Sequence, residues 1–258
     1  MRHDHWQIQR VLLIVLVFFL SCMAVSAQTS PDAAAIVEKA FNYIRGDTSV
    51  SRTEMTIHRP DFERSMTIRV WTRGKRDAVF FIEKPPKDAG NGTLKKGRDM
   101  WSYNPKINRV IKFPPSMMSQ SWMGSDFSNN DLSKTDSILD EYTHEIKQQK
   151  KVDNITVYEM ELIPKEEAPV VWGKQEMTIR EDGIMLRQAF FDEDMLLVKE
   201  MTVDALEMRG GRLFPTIWTM RKAGEKDRYT RLVYQELEFD VPLKPGLFTI
   251  TSLKSRRK

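Results

Sequence analysis

Cysteine is almost missing from this chain: Cys22 is the single one in 258 residues. It lies ahead of the point where the chain is expected to be cut, so the mature protein carries no thiol. Disulfides, thiol catalysis and cysteine-based metal sites are excluded together. Histidine is scarce as well. Beyond the leader only His58 and His144 remain, in separate predicted strands, with no His or Cys partner at ligand spacing, so no metal site is expected. There is no glycine-rich phosphate loop, and no Gly-x-Ser-x-Gly surrounds Ser125. Asp192-Glu193-Asp194 lacks the spaced oxygens and central glycine of a calcium loop and reads as a solvated hairpin tip. Charge of one sign is not in excess either. With 40 basic and 36 acidic residues, interspersed, the net charge is +4. That excludes the basic footprint of a nucleic-acid binder. No cofactor is implied.

What is present first is an export signal. Arg2 and Arg10 give a positive start, and residues 11–20 are an unbroken apolar run. Val25-Ser26-Ala27 offers small residues for cleavage, which makes residues 1–27 a signal peptide and Gln28 the mature N-terminus. A spanning helix needs about 20 apolar residues, and this run ends sooner. Acylation of Cys22 would instead tether the chain, although Phe19-Leu20-Ser21 fits a lipoprotein signal poorly. Residues 28–258 are then expected to fold as one periplasmic domain. The basic end, Lys254-Ser255-Arg256-Arg257-Lys258, is read as a frayed tail that is also able to touch anionic lipid.

One helix is expected near the mature N-terminus, with Ser30 as cap, Pro31 at its first position, Ile36, Ala40, Phe41 and Ile44 on one face, and Gly46 at its end. The pattern then turns to period two. Met55 and Ile57, then Met66, Ile68 and Val70, then Ala78, Phe80 and Ile82 alternate with other residues across the turns Pro60-Asp61 and Gly74-Lys75. These are successive strands of an antiparallel meander. Further strands are expected over 93–95, 100–103, 109–113, 142–148, 157–163, 175–180, 186–191, 196–206, 214–221 and 228–239. Ten to twelve strands, no second helical layer and no linker make the fold mainly β with a few helices. The rhythm breaks between 114 and about 140, and irregular segments of that length are usually lids or binding loops.

Two features bear on function. Several strands carry large residues on both faces: Val79 and Phe81 oppose Ala78, Phe80 and Ile82, and Met100-Trp101 repeats the doubling. An open sheet with one wet face would be polar there. The second face must be covered by helices, by the irregular segment, or by something the chain does not encode. Methionine is also plentiful, with fifteen in all. Met117, Met118 and Met123 sit in the irregular segment, where no core role is evident. Flexible, polarizable methionine suits an apolar ligand as well as an ordinary core.

The run Met100-Trp101-Ser102-Tyr103-Asn104-Pro105, then Arg109 to Pro115, then Trp122-Met123-Gly124-Ser125-Asp126-Phe127-Ser128-Asn129-Asn130-Asp131-Leu132, resembles the LolA-like outer-membrane lipoprotein-sorting family, in the branch found beside RND-type transporters. The Gly-Ser-Asp-Phe run is its most specific part. The resemblance implies a single curved antiparallel sheet of about eleven strands, an incomplete barrel with a helical lid. Its apolar concave face would take acyl chains of lipoproteins or lipids. It also implies an inner-membrane RND-type or ABC transporter as partner, peripheral contact with membranes, and no catalytic role for these positions.

Physical chemistry agrees with a carrier. Each methylene kept from water is worth about 0.8 kcal/mol, so exposing a sixteen-carbon chain costs on the order of 12 kcal/mol. A ten-residue strand spans about 33 Å, enough to shield such a chain along its length. The expected lining and lid residues are Phe80, Trp101, Tyr103, Met117, Met118, Trp122, Met123 and Phe127, with cargo entering beneath 114–132. Arg69, Arg73 and Arg98 are open to two readings, guides for a headgroup or lid, or a solvated outer face. An adaptor with a side-chain-filled interior is the alternative function. A hydrolase on Ser125, His144 and a remote Asp is the third.

Overall fold

The computed structural model describes residues 31–255. The export signal, Cys22, Gln28, Ser30 and the last three basic residues lie outside the described residues.

Helix α1 (Ala33–Arg45) opens on Asp32, whose carboxylate accepts the Ala34 N–H at 3.0 Å. It starts later than Ser30-Pro31 suggested because Asp32 can satisfy a free amide of the first turn. Gly46 ends it at φ 62°, as expected. Val37, Ala40 and Phe41 are its buried face.

Most of the other described residues form one antiparallel sheet of thirteen strands that does not close into a barrel. The strands are β1 (Thr48–Arg59), β2 (Phe62–Arg73), β3 (Asp77–Lys84), β4 (Gly92–Lys96), β5 (Asp99–Asn104), β6 (Arg109–Lys112), β7 (Tyr142–Val152), β8 (Ile155–Pro164), β9 (Lys174–Arg180), β10 (Met185–Phe191), β11 (Leu197–Arg209), β12 (Arg212–Lys222) and β13 (Tyr229–Phe239). They run in the order β6-β5-β4-β3-β2-β1-β13-β12-β11-β10-β9-β8-β7. Thirteen exceeds the ten to twelve read from the sequence and the eleven the resemblance implied. The segment between β6 and β7 forms two single 3-10 turns, Pro115–Met117 and Trp122–Gly124, then α2 (Asn129–Ser133) and α3 (Ser137–Asp140).

Register assigns the faces, because residues paired across antiparallel strands point the same way. Met55 pairs with Met66, and Val70 with Phe80. These residues make the inner face, which α1 and the segment after β6 cover. Trp71 pairs with Val79, Val79 with Leu94, and Leu94 with Trp101, which makes the outer face. It is apolar because the C-terminal segment lies on it: Leu247, Phe248 and Leu253 bury against Val79, Phe81, Leu94 and Tyr103. The basic end is therefore not a frayed tail up to Ser255. It forms α4 (Ile250–Ser255) with Leu253 fully buried. Gly92 permits this approach, since a Cβ there would lie 2.8 Å from Leu253 Cδ1 and 2.9 Å from Phe81 Cε1.

Candidate functional site

Between the inner face and its cover lies a cavity of about 320 Å³, at the lower end of the ligand-pocket range. Phe41 and Ile44 of α1 wall one side, and Trp122, Phe127, Leu132 and Ile138 of the segment after β6 wall another. The sheet contributes Met55, Met177, Met185, Met201 and Met220 from five different strands, with Phe80, Phe190, Leu232 and Tyr234. Five of the fifteen methionines thus meet in one hollow, and they come from strands and not from the loop.

The cover is held by three aspartates five residues apart, each paired with a cation from a different strand. Asp126 meets Arg59 of β1 at 3.0 Å and accepts from the Thr230 hydroxyl at 2.7 Å. Asp131 meets Lys199 of β11, which also donates to the Asp126 carbonyl at 3.2 Å. Asp136 meets Lys95 of β4 at 2.9 Å and Arg76 at 3.1 Å. Lys95 and Lys199 are 1 % and 4 % exposed, so these pairs sit where breaking one strands a charge. Burial pushes the Lys95 ammonium down, with the Asp136 hydrogen bond opposing. Burial pushes the Asp136 carboxyl up, but Lys95 and Arg76 outweigh it and hold it below the usual carboxylate range. Ser128 caps α2, and Asp131 accepts from the Ser128 N–H in a reciprocal capping box. Gly124 makes the bend at φ 79°.

The expected residues separate into groups. Phe80, Trp122 and Phe127 line the cavity. Trp122 packs at a tilt against Phe80, with ring centroids 5.4 Å apart, and donates to the Thr93 hydroxyl at 3.3 Å. Met123 packs on the Met55–Ile57–Met66–Ile68 cluster beside it. Met117 and Met118 are partly buried, and their carbonyls accept from the Asn129 side chain and the Asn130 N–H. Trp101 and Tyr103 do not reach the cavity. They lie on the outer face with the C-terminal segment, Tyr103 donating to Asn108. Arg69 is outer-face too, bound to Glu83 at 3.0 Å and Glu236 at 3.1 Å. Trp101 and Tyr103 as lining, and Arg69 as a headgroup guide, were misplaced because alternation gives two faces without saying which is hollow; for Arg69 the outer-face reading holds. Arg73 stacks over Phe248 and pairs with Asp77, whereas Arg98 pairs with Glu141 just after α3.

The Ser125 hydroxyl donates to the Trp122 carbonyl and accepts the Phe127 N–H, while His144 Nε2 bonds the Ile138 carbonyl at 2.6 Å. Each is committed to local backbone, not to the other. Asp192 caps its own hairpin through the Asp194 and Leu196 amides. No cluster of three or more metal-ligating side chains occurs among the described residues, nor does a helix long and apolar enough to cross a membrane.

Sequence reading missed Arg59, Lys95, Lys199 and their aspartates. One signal was available: Lys95 stands two residues after Thr93 and opposite Ala78, on the inner-face parity where a charge is out of place.

Three solved structures superpose over nearly the whole chain. A DUF1329 family protein from Desulfovibrio piger has a TM-score of 0.75 at 24% identity, covering 87% of this chain and 100% of its own. A putative outer membrane lipoprotein-sorting protein domain from Vibrio parahaemolyticus has 0.73 at 20%, covering 86% and 98%. A LolA superfamily protein from Nitrosomonas europaea has 0.71 at 20%, covering 86% and 100%. No curated protein matches. A family model described as an uncharacterized protein matches residues 74–255. Matched over more than half its length, the chain belongs to that family, and its fold is LolA-like.

Proposed function

We propose that this protein is a periplasmic carrier that shields acyl chains of lipids or lipoproteins in the cavity between its sheet and the cover over residues 114–141. The supporting observation is the cavity itself: about 320 Å³ lined by aromatic and methionine side chains and left unfilled by the chain. An adaptor without ligand would have its own side chains in that hollow. Flexible methionines can follow a flexible chain, and the cover keeps the apolar lining from standing open to water. Phe80, Trp122, Phe127 and the five strand methionines contact the cargo. Met117, Met118 and Met123 belong to the moving cover. Cargo is exchanged at a membrane surface or with an inner-membrane transporter of the RND or ABC type, as the sequence resemblance implies. Native mass spectrometry of protein purified from membranes is expected to show bound lipid. Protein that carries none, and that also ignores a fluorescent fatty acid, would end this reading.

A further inference from the structure

The cavity lining is mostly apolar, with polar side chains such as Gln175 and Gln188 on the sheet and a cationic group where α1 meets the turn between β2 and β3. Arg45, in the last turn of α1, lines it there together with Lys95 and Tyr234. Arg45 donates to two backbone carbonyls, Gly74 at 3.0 Å and Asp77 at 3.1 Å. Among the described residues no carboxylate lies within salt-bridge distance of it. The Tyr234 hydroxyl has no hydrogen-bond partner among the described residues, although its ring packs edge-on against Phe214 at 5.2 Å.

Burial pushes the Arg45 guanidinium down against the opposing charges of Asp136, Tyr234 and Asp77, and it pushes the Tyr234 hydroxyl up against the charge of Arg45. Lys95 is paired, but its carboxylate also serves Arg76. Lys134 adds a further cation to the lining, while the one lining carboxylate, Asp131, is taken by Lys199. A desolvated guanidinium with no carboxylate in contact, answered only at longer range by Asp136 and Asp77, is left incompletely compensated, and an anion in the cavity would complete it.

We propose that the cavity takes a single-chain anionic amphiphile, with its carboxylate or phosphate headgroup held by Arg45, Lys95 and Tyr234 and its chain among the methionines. This rests on the carrier reading and narrows it to a class of cargo. Carboxylate and phosphate share the needed chemistry, namely several acceptor oxygens and a negative charge.

The test is displacement of Nile red from the mature protein by dodecanoate, dodecyl phosphate and dodecanol, which share one chain. At least one anion is expected to displace the dye at about tenfold lower concentration than dodecanol, the scale of a charge-assisted hydrogen bond. The stronger of the two identifies the headgroup. Arg45→Gln should bring the anions to the level of dodecanol and leave dodecanol unmoved. Tyr234→Phe, which removes one oxygen and keeps the ring, should cost the anions severalfold and dodecanol nothing, and it carries the test if Arg45→Gln does not fold. Dodecanol displacing as well as both anions would overturn the headgroup pole while leaving the carrier reading intact. A loss shared equally by all three ligands in Tyr234→Phe would also overturn it. Failure of every ligand, and of the dye, to bind would remove the carrier reading and this inference together.

Discussion

The two faces of the sheet from β1 to β5 carry similar apolar residues and yet are finished differently. On the outer face, Leu247, Phe248 and Leu253 fill the space above Val79, Leu94 and Tyr103, and Gly92 yields room for the contact. On the inner face, the cover touches down through Trp122, Met123, Leu132 and Ile138 and is also tied by buried ion pairs, and a hollow remains beneath it. Apolar side chains gain by closing every gap. Charged pairs fix position through a few points and tolerate empty space between them. The comparison teaches that apolar patterning on both faces of a strand reports coverage, whereas the chemistry of what covers it decides whether the result is a core or a container.

The comparison can be broken in graded ways. The largest effect is expected from Phe248→Ala on the solid side: about 3–5 kcal/mol of lost stability in urea unfolding, with dye uptake per folded molecule unchanged. If uptake falls as well, the two faces are not independent. Next is Asp131→Asn, which leaves Lys199 buried without its counter-charge at a cost of about 3 kcal/mol. Hydrogen exchange should quicken across 117–141 and stay as it was in β1 and β2. Exchange that quickens everywhere would show that the cover is part of the global fold. Met201→Trp, which fills the hollow, should weaken dye binding about tenfold while stability moves by less than about 2 kcal/mol.

Acid gives a smaller and signed effect. The folded carboxyl of Asp136 is held below its unfolded value, so its contribution is full above the ordinary range near pH 4 and is lost as pH falls through the folded value. Protection of the cover, taken relative to the intrinsic exchange rate at each pH, should fall at acid pH, and Asp136→Asn should flatten that profile. Smallest of all, Arg69→Ala on the solvated outer network should cost under about 1 kcal/mol and leave binding alone.

Much of the fold is legible in the sequence because strand side chains alternate with period two, and Met55/Ile57 through Leu232/Tyr234 keep to it. The interruption after β6 also announced the cover. What stayed hidden has a physical cause in each case. Trp101 and Tyr103 look like lining residues until register fixes their side. The terminal helix depends on one buried leucine, Leu253, amid lysines and arginines. The pairs that hold the cover join residues 41, 67 and 68 positions apart, and no local pattern encodes such distances. The loop methionines Met117, Met118 and Met123 drew attention in the sequence, whereas the methionines that line the cavity, Met55, Met177, Met185, Met201 and Met220, stand on strands.

The helical pieces of the cover are only five and four residues long. Isolated helices shorter than about 12–15 residues barely persist in water. Once its aspartates let go, this strip cannot swing aside as a stiff plate. It melts into coil, and closing becomes a small folding reaction whose entropy cost must be met each time, with any molecule seated below acting as the template for the refolded strip.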